Sequence, residues 1–350
     1  MSNGDKIEGF RKLQMTGGST YIISLPKNWV EEMKLERGSV LILNQNDDMS
    51  LNIRPKYTSF QEKPKKVVIT IDHTNEPQSV VRHLVSTYLR GFNIIEIRSS
   101  DKRIEPETRY AVKEFVRKKL VGTEIVSDLP NELTLQILLS YSKLSVKDAL
   151  RRMSIIAASM HRDAIQTLSN DNPRIAKEVL NMDDEVDRFS FYVMRLLNVA
   201  VMDALVLKES GIVNPQHCLG YRLITKSVER LADHATNIAE NRLTLHFVPI
   251  NEEILKELNS ISQSAIKVFE AAVEALFNED YAAADKVMYY AEETSSMEDD
   301  VIHRIVKLAP MEDVPQLRLI VESIVRTSEY GADIAETVLN MTVSDAMSEA

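Results

Sequence analysis

Two pairs of acidic residues in the second half of the sequence have the types and spacing of a cation site. Asp183 and Asp187 are four residues apart in "MDDEVDR", and Glu229 and Asp233 are four residues apart in "SVERLADHATNIAE". Residues at this spacing share one face of a helix, where like charges repel each other unless a cation compensates them. Four carboxylates on facing helices offer the oxygen ligands that magnesium, manganese and iron accept. Further candidate ligands nearby are Asp184, Glu185 and His234.

The same acidic residues also fit an arrangement without a metal. Acidic helical faces are common in soluble proteins, so these carboxylates can be solvated or paired with Arg188, Arg195 or Arg230. A dimetal enzyme built on helices typically offers Glu-x-x-His twice, and the nearest match here is one pair, Asp300 and His303, which fits an ordinary helix surface. No nucleophile and base are placed for covalent catalysis, so we predict that the protein is not an enzyme.

The later acidic pair belongs to an internal repeat. Residues 227–241, "SVERLADHATNIAEN", align with residues 323–337, "SIVRTSEYGADIAET", at an offset of 96 positions. Ser, Arg and the run Ile-Ala-Glu recur in this register, which indicates an old duplication. The second copy has Val325 where the first has Glu229. The difference between the copies is therefore where chemistry is expected.

The other acidic helix differs between the copies as well. Aligning "MDDEVDR" with "ETSSMED" places Glu298 over Asp187 but Thr294 over Asp183. The second copy then lacks two of the four carboxylates. We predict that the first copy keeps a cation site and that the second is depleted or uses displaced acids. Those displaced acids are Glu292, Glu293, Asp299 and Asp300.

The carboxylates lie in a region of long amphipathic helices that starts near residue 143. Apolar residues recur there at helical spacing in six segments with few glycines, which form two trios. Each trio can bury its apolar stripes, so the sequence predicts two tandem three-helix bundles, over residues 143–248 and 249–350. The acidic helices of the two bundles are each expected to be continuous, over residues 173–203 and 281–308.

Three shorter regions precede the bundles. Residues 1–56 predict a small β head, with turns at Gly17-Gly18 and at Asn46-Asp47-Asp48. So small a unit has little core of its own, which favours a dimer. Residues 57–66 suit a linker, and residues 67–140 alternate strand and helix as a small α+β connecting module. The predicted fold class is a multidomain α+β chain that is mostly α.

Composition limits the class of protein. The chain has 350 residues, 44% hydrophobic and 27% charged, which is enough for several domains with their own cores. Its one cysteine, Cys218, excludes a thiolate metal cluster. Residues 1–66 hold eleven Lys or Arg and eight Asp or Glu, which gives a charge of +3. Since the whole chain has a net charge of −10, the remaining residues carry −13. We expect any polyanion to bind the head, and a cytoplasmic location, since no apolar run resembles a signal peptide or a membrane span.

The acidic motifs carry a resemblance to a known family. "MDDEVDR" followed by "SVERLADHATNIAE" resembles the paired acidic motif of PhoU-type phosphate-signalling proteins, over about residues 143–350. The resemblance implies two three-helix bundles that regulate phosphate uptake by acting on the phosphate transporter and its signalling partners. Some members hold iron or zinc clusters at these motifs. Carried over position by position, this implies the metal ligands Asp183, Asp187, Glu229 and Asp233, for a divalent or trivalent metal (Fe, Zn, Mn or Mg).

The head carries a second resemblance. "RKLQMTGGSTYIISLPKNWVEEMKLERGSVLIL" followed by "SLNIRP" resembles DNA-binding domains of the AbrB or SpoVT type. That family implies a swapped-hairpin dimer that contacts DNA through the first strand and adjoining loops. The matching positions are Arg11, Lys12, Gln14, Thr16 and Lys27. Together, the two resemblances are similar to phosphate uptake regulators typical of archaea.

Two functions follow from these resemblances. In the first, a homodimer or higher oligomer binds operator DNA through its head and senses phosphate status through a metal site or a partner protein. In the second, the protein is a scaffold that docks on the ATPase of the phosphate transporter without binding DNA. A metal-dependent enzyme built on the helical carboxylates is a third reading, and it lacks a histidine-containing ligand set.

Overall fold

The computed structural model describes residues 10–45, 49–56, 64–139, 141–169 and 173–347. Contacts between Cα atoms divide the chain into two compact units, Met1–Pro64 and Lys65–Ala350. The predicted turn at Asn46-Asp47-Asp48 and most of the predicted linker lie outside the described residues. Within the part of the chain that is described, none of the helices combines the length and apolarity needed to cross a membrane.

The head consists of two antiparallel hairpins and one short helix. Its elements in chain order are β1 (Gln14–Thr16), β2 (Thr20–Ile22), α1 (Lys27–Glu32), β3 (Leu41–Gln45) and β4 (Leu51–Pro55). β1 pairs with β2, and β3 pairs with β4. Gly17 and Gly18 both have positive φ, at 60° and 82°, as the tight turn between β1 and β2 requires. The predicted turn at these glycines is confirmed.

The head buries little of its own apolar surface. None of its described residues is buried. On the β3–β4 hairpin, Leu43 lies opposite Ile53, and Leu41 and Leu51 share their face because side chains two residues apart point the same way. Leu43 and Leu51 are 59% and 62% exposed. A hairpin with an uncovered apolar face is only marginally stable by itself.

The α+β module is a four-stranded sheet with two helices. Its elements are β5 (Lys66–Ile71), α2 (Pro77–Leu89), β6 (Ile94–Ser99), α3 (Pro106–Lys119), β7 (Thr123–Leu129) and β8 (Glu132–Ile137). The sheet order is β5-β6-β8-β7, with β5 parallel to β6 and the other pairs antiparallel. α2 and α3 each begin with a proline, whose fixed φ suits the first helical turn. The predicted alternation of strand and helix is confirmed.

The helical body contains the two predicted trios. The first trio is α4 (Val146–Gln166), α5 (Pro173–Ala200) and α7 (His217–Thr244), with the short α6 (Ala204–Glu209) after α5. The second consists of α8 (Glu252–Asn278), α9 (Tyr281–Ser296), α10 (Glu298–Leu308) and α11 (Val314–Ala346). Side-chain caps fix several helix starts: Ser145 accepts from the amide of Asp148, and Asn251 from that of Glu253.

Two details of the helical body differ from the sequence expectation. The acidic helix of the second bundle is not continuous, because it breaks at Met297 between α9 and α10. The two bundles are also not separately packed, since their buried residues form one continuous core across α7 and α11. The α+β module has its own core, and Phe191 of α5 packs against it. Module and bundles therefore form one folded unit.

Candidate cation site

The four predicted carboxylates lie on two neighbouring helices of the first bundle. Asp183 and Asp187 are on α5, and Glu229 and Asp233 are on α7. Local sequence sets their direction: Val186 beside Asp187 and Ala232 beside Asp233 are both fully buried. The acids therefore stand at the edge of the buried stripe, and α5 and α7 bring the two pairs to one place. We call these four residues and Asp184 the acidic cluster.

Burial and mutual repulsion raise the pKa of two carboxyl groups of the cluster, those of Asp183 and Asp233. Burial, together with the charges of Asp187, Asp184 and Glu229, raises the pKa of Asp183 in spite of a nearby lysine. Partial burial and the charges of Glu229, Asp183 and Asp187 raise the pKa of Asp233 to about 7, although the side chain keeps access to solvent. The charges of the pair on α5 and of the pair on α7 therefore act on each other, as a shared cation site requires.

A lysine from the α+β module supplies positive charge to the cluster. The Nζ atom of Lys119, the last residue of α3, lies 2.6 Å from Asp187 Oδ2, 2.6 Å from Asp184 Oδ1 and 3.7 Å from Asp183 Oδ2. Its side chain is only 16% exposed. Burial disfavours the charged ammonium, but hydrogen bonds to Asp184 and Asp187 and the charges of Asp187 and Asp183 outweigh it, so the pKa of Lys119 is raised.

A second lysine pairs with the acid on α7. Lys226 Nζ lies 2.5 Å from both carboxylate oxygens of Glu229, one helical turn away. The arginines considered from the sequence act elsewhere. Arg188 pairs with Glu185 at 3.1 Å, and Arg195 is fully buried against Tyr88. Arg230 faces Asp333, whose pKa is raised by burial and the charge of Glu336 in spite of the opposing charge of Arg230. In this structure the partners of the acidic cluster are lysines, and not the three arginines considered from the sequence.

Sequence reasoning missed both lysines. Lys119 is one of three consecutive basic residues in the last turn of α3, Arg117, Lys118 and Lys119, where a cation is favoured by the helix dipole. The helix dipole is enough to explain why all three basic residues occur there. It gives no reason to pair Lys119 with Asp187, an acid 68 positions away. The spacing of Lys226 and Glu229, by contrast, was a visible signal for an ion pair along one helix.

The cluster does not fit a metal ion in this conformation. Its carboxylate oxygens are suitable ligands, but those of Asp184 and Asp187 already contact the Lys119 ammonium. Among the described residues, no group of three or more His, Cys, Asp and Glu side chains converges on a point where a metal could be held. Asp183 Oδ1 is buried and accepts no hydrogen bond. Metal binding at Asp183, Asp187, Glu229 and Asp233 stays a prediction, and it requires Lys119 to move.

His234 lies apart from the acidic cluster. Its Nε2 atom is 3.3 Å from the hydroxyl of Tyr330 on α11, and the two rings are 5.6 Å apart. Tyr330 occupies the same repeat position as His234, so the contact joins the two copies. Burial and the charge of Arg326 lower the pKa of His234 against the opposing charges of Glu322 and Glu329. This histidine faces the charges of the second copy.

The second copy has a smaller acidic group with its own cation. Burial and the charges of Asp299, Glu329 and Glu322 raise the pKa of Glu298, while Arg326 opposes them. Arg326 lies 2.6 Å from Glu329 on the same helix. Thr294 and Val325, at the two positions without a carboxylate, are 2% and 4% exposed and pack into the core. The two positions at which the second copy has no carboxylate are therefore interior positions.

The predicted DNA-contacting residues all lie on the surface of the head. Arg11, Lys12, Gln14, Thr16 and Lys27 are exposed. Gln14 and Thr16 lie on one face of β1, while Met15 points to the other face with its partner Tyr21. Lys27 begins α1 and lies 3.6 Å from Glu31. The structure leaves these side chains accessible to a ligand, and DNA contact by them stays a prediction.

Comparison with protein-family models identifies the domains. The model described as PhoU domain matches residues 150–241 and again residues 258–338. The helical body is a pair of PhoU domains. The first match contains the whole acidic cluster, and the second contains the smaller acidic group. The head, over residues 14–59, matches the model described as antidote-toxin recognition MazE, bacterial antitoxin. The resemblances stated from the sequence for body and head are confirmed.

Similar curated proteins carry the PhoU name. The chain is 25% identical over 190 residues to phosphate-specific transport system accessory protein PhoU homolog 1 of Thermotoga maritima, covering 54% of this chain and 73% of that protein. It is 31% identical over 97 residues to the PhoU homolog of Xylella fastidiosa strain 9a5c, covering 28% of this chain and 38% of that protein.

Two solved structures resemble part of the chain. PhoU of Streptococcus pneumoniae, titled a phosphate transport system regulatory protein, has a TM-score of 0.49 and 14% identity, covering 59% of this chain and 96% of that one. PhoU of Pseudomonas aeruginosa has a TM-score of 0.47 and 16% identity, covering 57% and 95%.

Proposed function

We propose that this protein regulates phosphate uptake, with a head that dimerises and binds operator DNA and a PhoU body that reads phosphate status. The observation that carries the proposal is the union in one chain of two PhoU domains and a MazE-type head. The named relatives are accessory proteins of phosphate-specific transport. The body acts on the phosphate transporter ATPase or another phosphate-signalling protein.

The head supports the DNA-binding half of the proposal through its surface. It exposes Arg11 and Lys12 next to β1, and residues 1–66, the head together with its linker, carry a net charge of +3. Its uncovered Leu43 and Leu51 need a partner surface, which a second head supplies. The body carries the excess negative charge and would repel a polyanion, so DNA contact belongs to the head.

DNA binding is tested with the full chain and a labelled fragment of a phosphate-responsive promoter, by fluorescence anisotropy at several salt concentrations. We expect Arg11→Ala/Lys12→Ala to weaken binding and to reduce the salt slope by about 0.9 for each DNA phosphate that the variant no longer neutralises. The matched control is Lys102→Ala/Arg103→Ala, which removes two exposed cations from the α+β module. Absence of wild-type binding at every salt concentration would instead support the scaffold that docks on the transporter ATPase.

Dimerisation is tested on the same chain by sedimentation velocity. Leu43→Glu places a charge on the uncovered face of the β3–β4 hairpin and is expected to shift the protein toward the monomer. Asn44→Glu adds the same charge to the opposite face of the same strand and is the control. A wild-type monomer, or equal behaviour of the two variants, would contradict a dimer formed through this face.

A further inference from the structure

One stripe of α5 holds the α+β module against the first PhoU domain. Asp184 and Asp187 contact Lys119 at 2.6 Å, and Phe191 meets Phe115 of α3 edge-to-face with ring centres 5.7 Å apart. Further along, Asn198 donates to the carbonyl of Leu89 at 3.1 Å, and Arg195 donates to that of Tyr88. These α5 residues recur every three or four positions, so one helical face docks on α2 and α3.

The ion pair lies at one end of this interface and the apolar contacts at its middle. Arg195, at the other end, is fully buried, and its guanidinium lies over the Tyr88 ring at 4.8 Å. Gly91, just after α2, has φ 87°, and an added Cβ would meet Val199 of α5 at 2.7 Å. The close approach of Gly91 to Val199 and the hydrogen bond from Arg195 Nη1 attach α2 to α5, while Nε and Nη2 of Arg195 are buried without a hydrogen-bond partner. Among the described residues, the Lys119 ammonium contacts only carboxylates, so its end of the interface depends on charge.

A metal ion and the Lys119 ammonium need the same position. Carboxylate oxygens bind metal ions at about 2.0–2.6 Å, and Lys119 Nζ already lies 2.6 Å from oxygens of Asp184 and Asp187. Placing a second cation between those oxygens would bring it against the ammonium, where like charges repel. With the ammonium in place, three carboxylates of α5 have a cation that is covalently part of the chain.

We propose that Lys119 is the resident cation of the acidic cluster and locks the end of α3 onto the first PhoU domain, so that docking of α3 and occupation of the cluster by a metal ion exclude each other. The lock gives the α+β module a role that its own surface does not indicate. Whether the end of α3 is docked then depends on whether the cluster holds a metal ion. This inference concerns the module and the first bundle and does not rest on DNA binding or on phosphate sensing.

The first experiment measures binding of Mn²⁺ alone to the full chain by titration calorimetry, after removal of bound metal with a chelator. Lys119→Gln frees the carboxylates while keeping a polar side chain, and we expect it to bind Mn²⁺ about tenfold more tightly than wild type. Adding Asp187→Asn to Lys119→Gln is expected to abolish the gained affinity, which places the ion in the cluster.

Two further variants control this experiment. Lys118→Gln removes the neighbouring cation, which is 56% exposed and 3.9 Å from Asp184, and is expected to change Mn²⁺ affinity by less than about twofold. Lys119→Arg retains the charge and is expected to behave as wild type. Equal affinity of wild type and Lys119→Gln, or no Mn²⁺ binding by a folded Lys119→Gln, would overturn the proposal.

The second experiment needs no substitution. Hydrogen exchange of the wild-type chain, followed by mass spectrometry, is compared without Mn²⁺ and at saturating Mn²⁺. Displacement of Lys119 predicts faster exchange in the last two turns of α3, while the buried strands of the module stay protected. Unchanged exchange of α3 at full Mn²⁺ occupancy would show that metal and lysine coexist, and the proposal would then be wrong.

Discussion

The acidic sites of the two PhoU domains show how one duplicated arrangement can be neutralised in two ways. In the first domain, the acids on α5 receive a cation from outside the bundle, Lys119, while Glu229 on α7 pairs with Lys226 of its own helix. In the second, Glu329 pairs with Arg326 on its own helix. The first domain has therefore kept its carboxylates at the cost of depending on a neighbouring module. The second has two interior residues in their place and depends on no other module among the described residues.

A helix break contributes to the same difference. α5 runs without interruption through Asp183 and Asp187, so their charges lie in mid-helix. The corresponding helix of the second domain ends at Ser296, and α10 begins at Glu298. Acids in the first turn of a helix are stabilised by the amide groups and dipole of its N-terminus. Asp299 and Asp300 thus occupy a favourable position that Asp183 and Asp187 lack, whereas burial and neighbouring acids still raise the pKa of Glu298.

Restoring one of the two missing carboxylates of the second domain is the change with the largest expected effect. Val325 is 4% exposed, so Val325→Glu buries a charge with no partner prepared for it. We expect the free energy of unfolding at pH 7 to fall by about 3–5 kcal/mol, measured by urea denaturation. Val325→Gln has nearly the same shape without the charge and should cost less. Equal losses would mean that volume, and not charge, separates the two sites.

Acid destabilisation at His161 tests how tightly the two domains are joined. His161 on α4 is fully buried, with Nε2 2.9 Å from Ser262 Oγ and Nδ1 3.2 Å from Thr327 Oγ1 of the second domain. Burial and the charge of Arg162 lower its pKa from 6.5 to about 4. The unfolded chain therefore takes up a proton first as the pH falls, and stability present above pH 6.5 is lost toward pH 4, by about 3 kcal/mol.

The measurement is the free energy of unfolding between pH 7.5 and about 4.5, the range in which this histidine differs between the two states. His161→Asn cannot titrate and is expected to flatten this part of the profile. His303→Asn, at an exposed histidine on α10, is the control and should leave the profile unchanged. A profile for His161→Asn parallel to that of wild type would assign the acid sensitivity to other groups.

Removing each domain's cation compares the two neutralising devices directly. Lys119 is 16% exposed and contacts two carboxylates at 2.6 Å, whereas Arg326 is 47% exposed and contacts one. We expect Lys119→Gln to lower the free energy of unfolding by about 2 kcal/mol. Arg326→Gln should lower it by less than about 1 kcal/mol, because an exposed pair along one helix contributes little. The reverse order would contradict the dependence of the first site on the α+β module.

The smallest expected effect comes from making the first site resemble the second. Glu229→Val introduces the residue of the second copy and removes one negative charge from the cluster. We expect stability to change by less than about 1 kcal/mol, since the relief of repulsion offsets the absence of the pair with Lys226. The pKa of Asp233 should fall from about 7, because, after burial, the charge of Glu229 contributes most to raising it. Carboxyl carbon chemical shifts followed by NMR would report this change. An unaltered pKa would assign the raised value of Asp233 to burial and the charges of Asp183 and Asp187.

The sequence by itself determined the order of domains and most of their elements. The strand alternation of the α+β module, the glycine turn of the head and the two helical trios all follow from local patterns of apolar residues, prolines and glycines. The repeat also shows, from the sequence alone, that the second copy has Thr294 and Val325 where the first has Asp183 and Glu229. Such features depend on neighbours in the chain, which is why one sequence is enough to read them.

Only the tertiary structure decided what compensates the acidic cluster. Lys119 lies 68 positions before Asp187, and no local pattern connects them, since packing of α3 on α5 alone brings the ammonium to the carboxylates. The break at Met297 was likewise invisible, because "ETSSMED" is compatible with a continuous helix. Local propensity decides where helices form, whereas the pairing of charges depends on which helices pack together, and in this chain that packing joins two different modules.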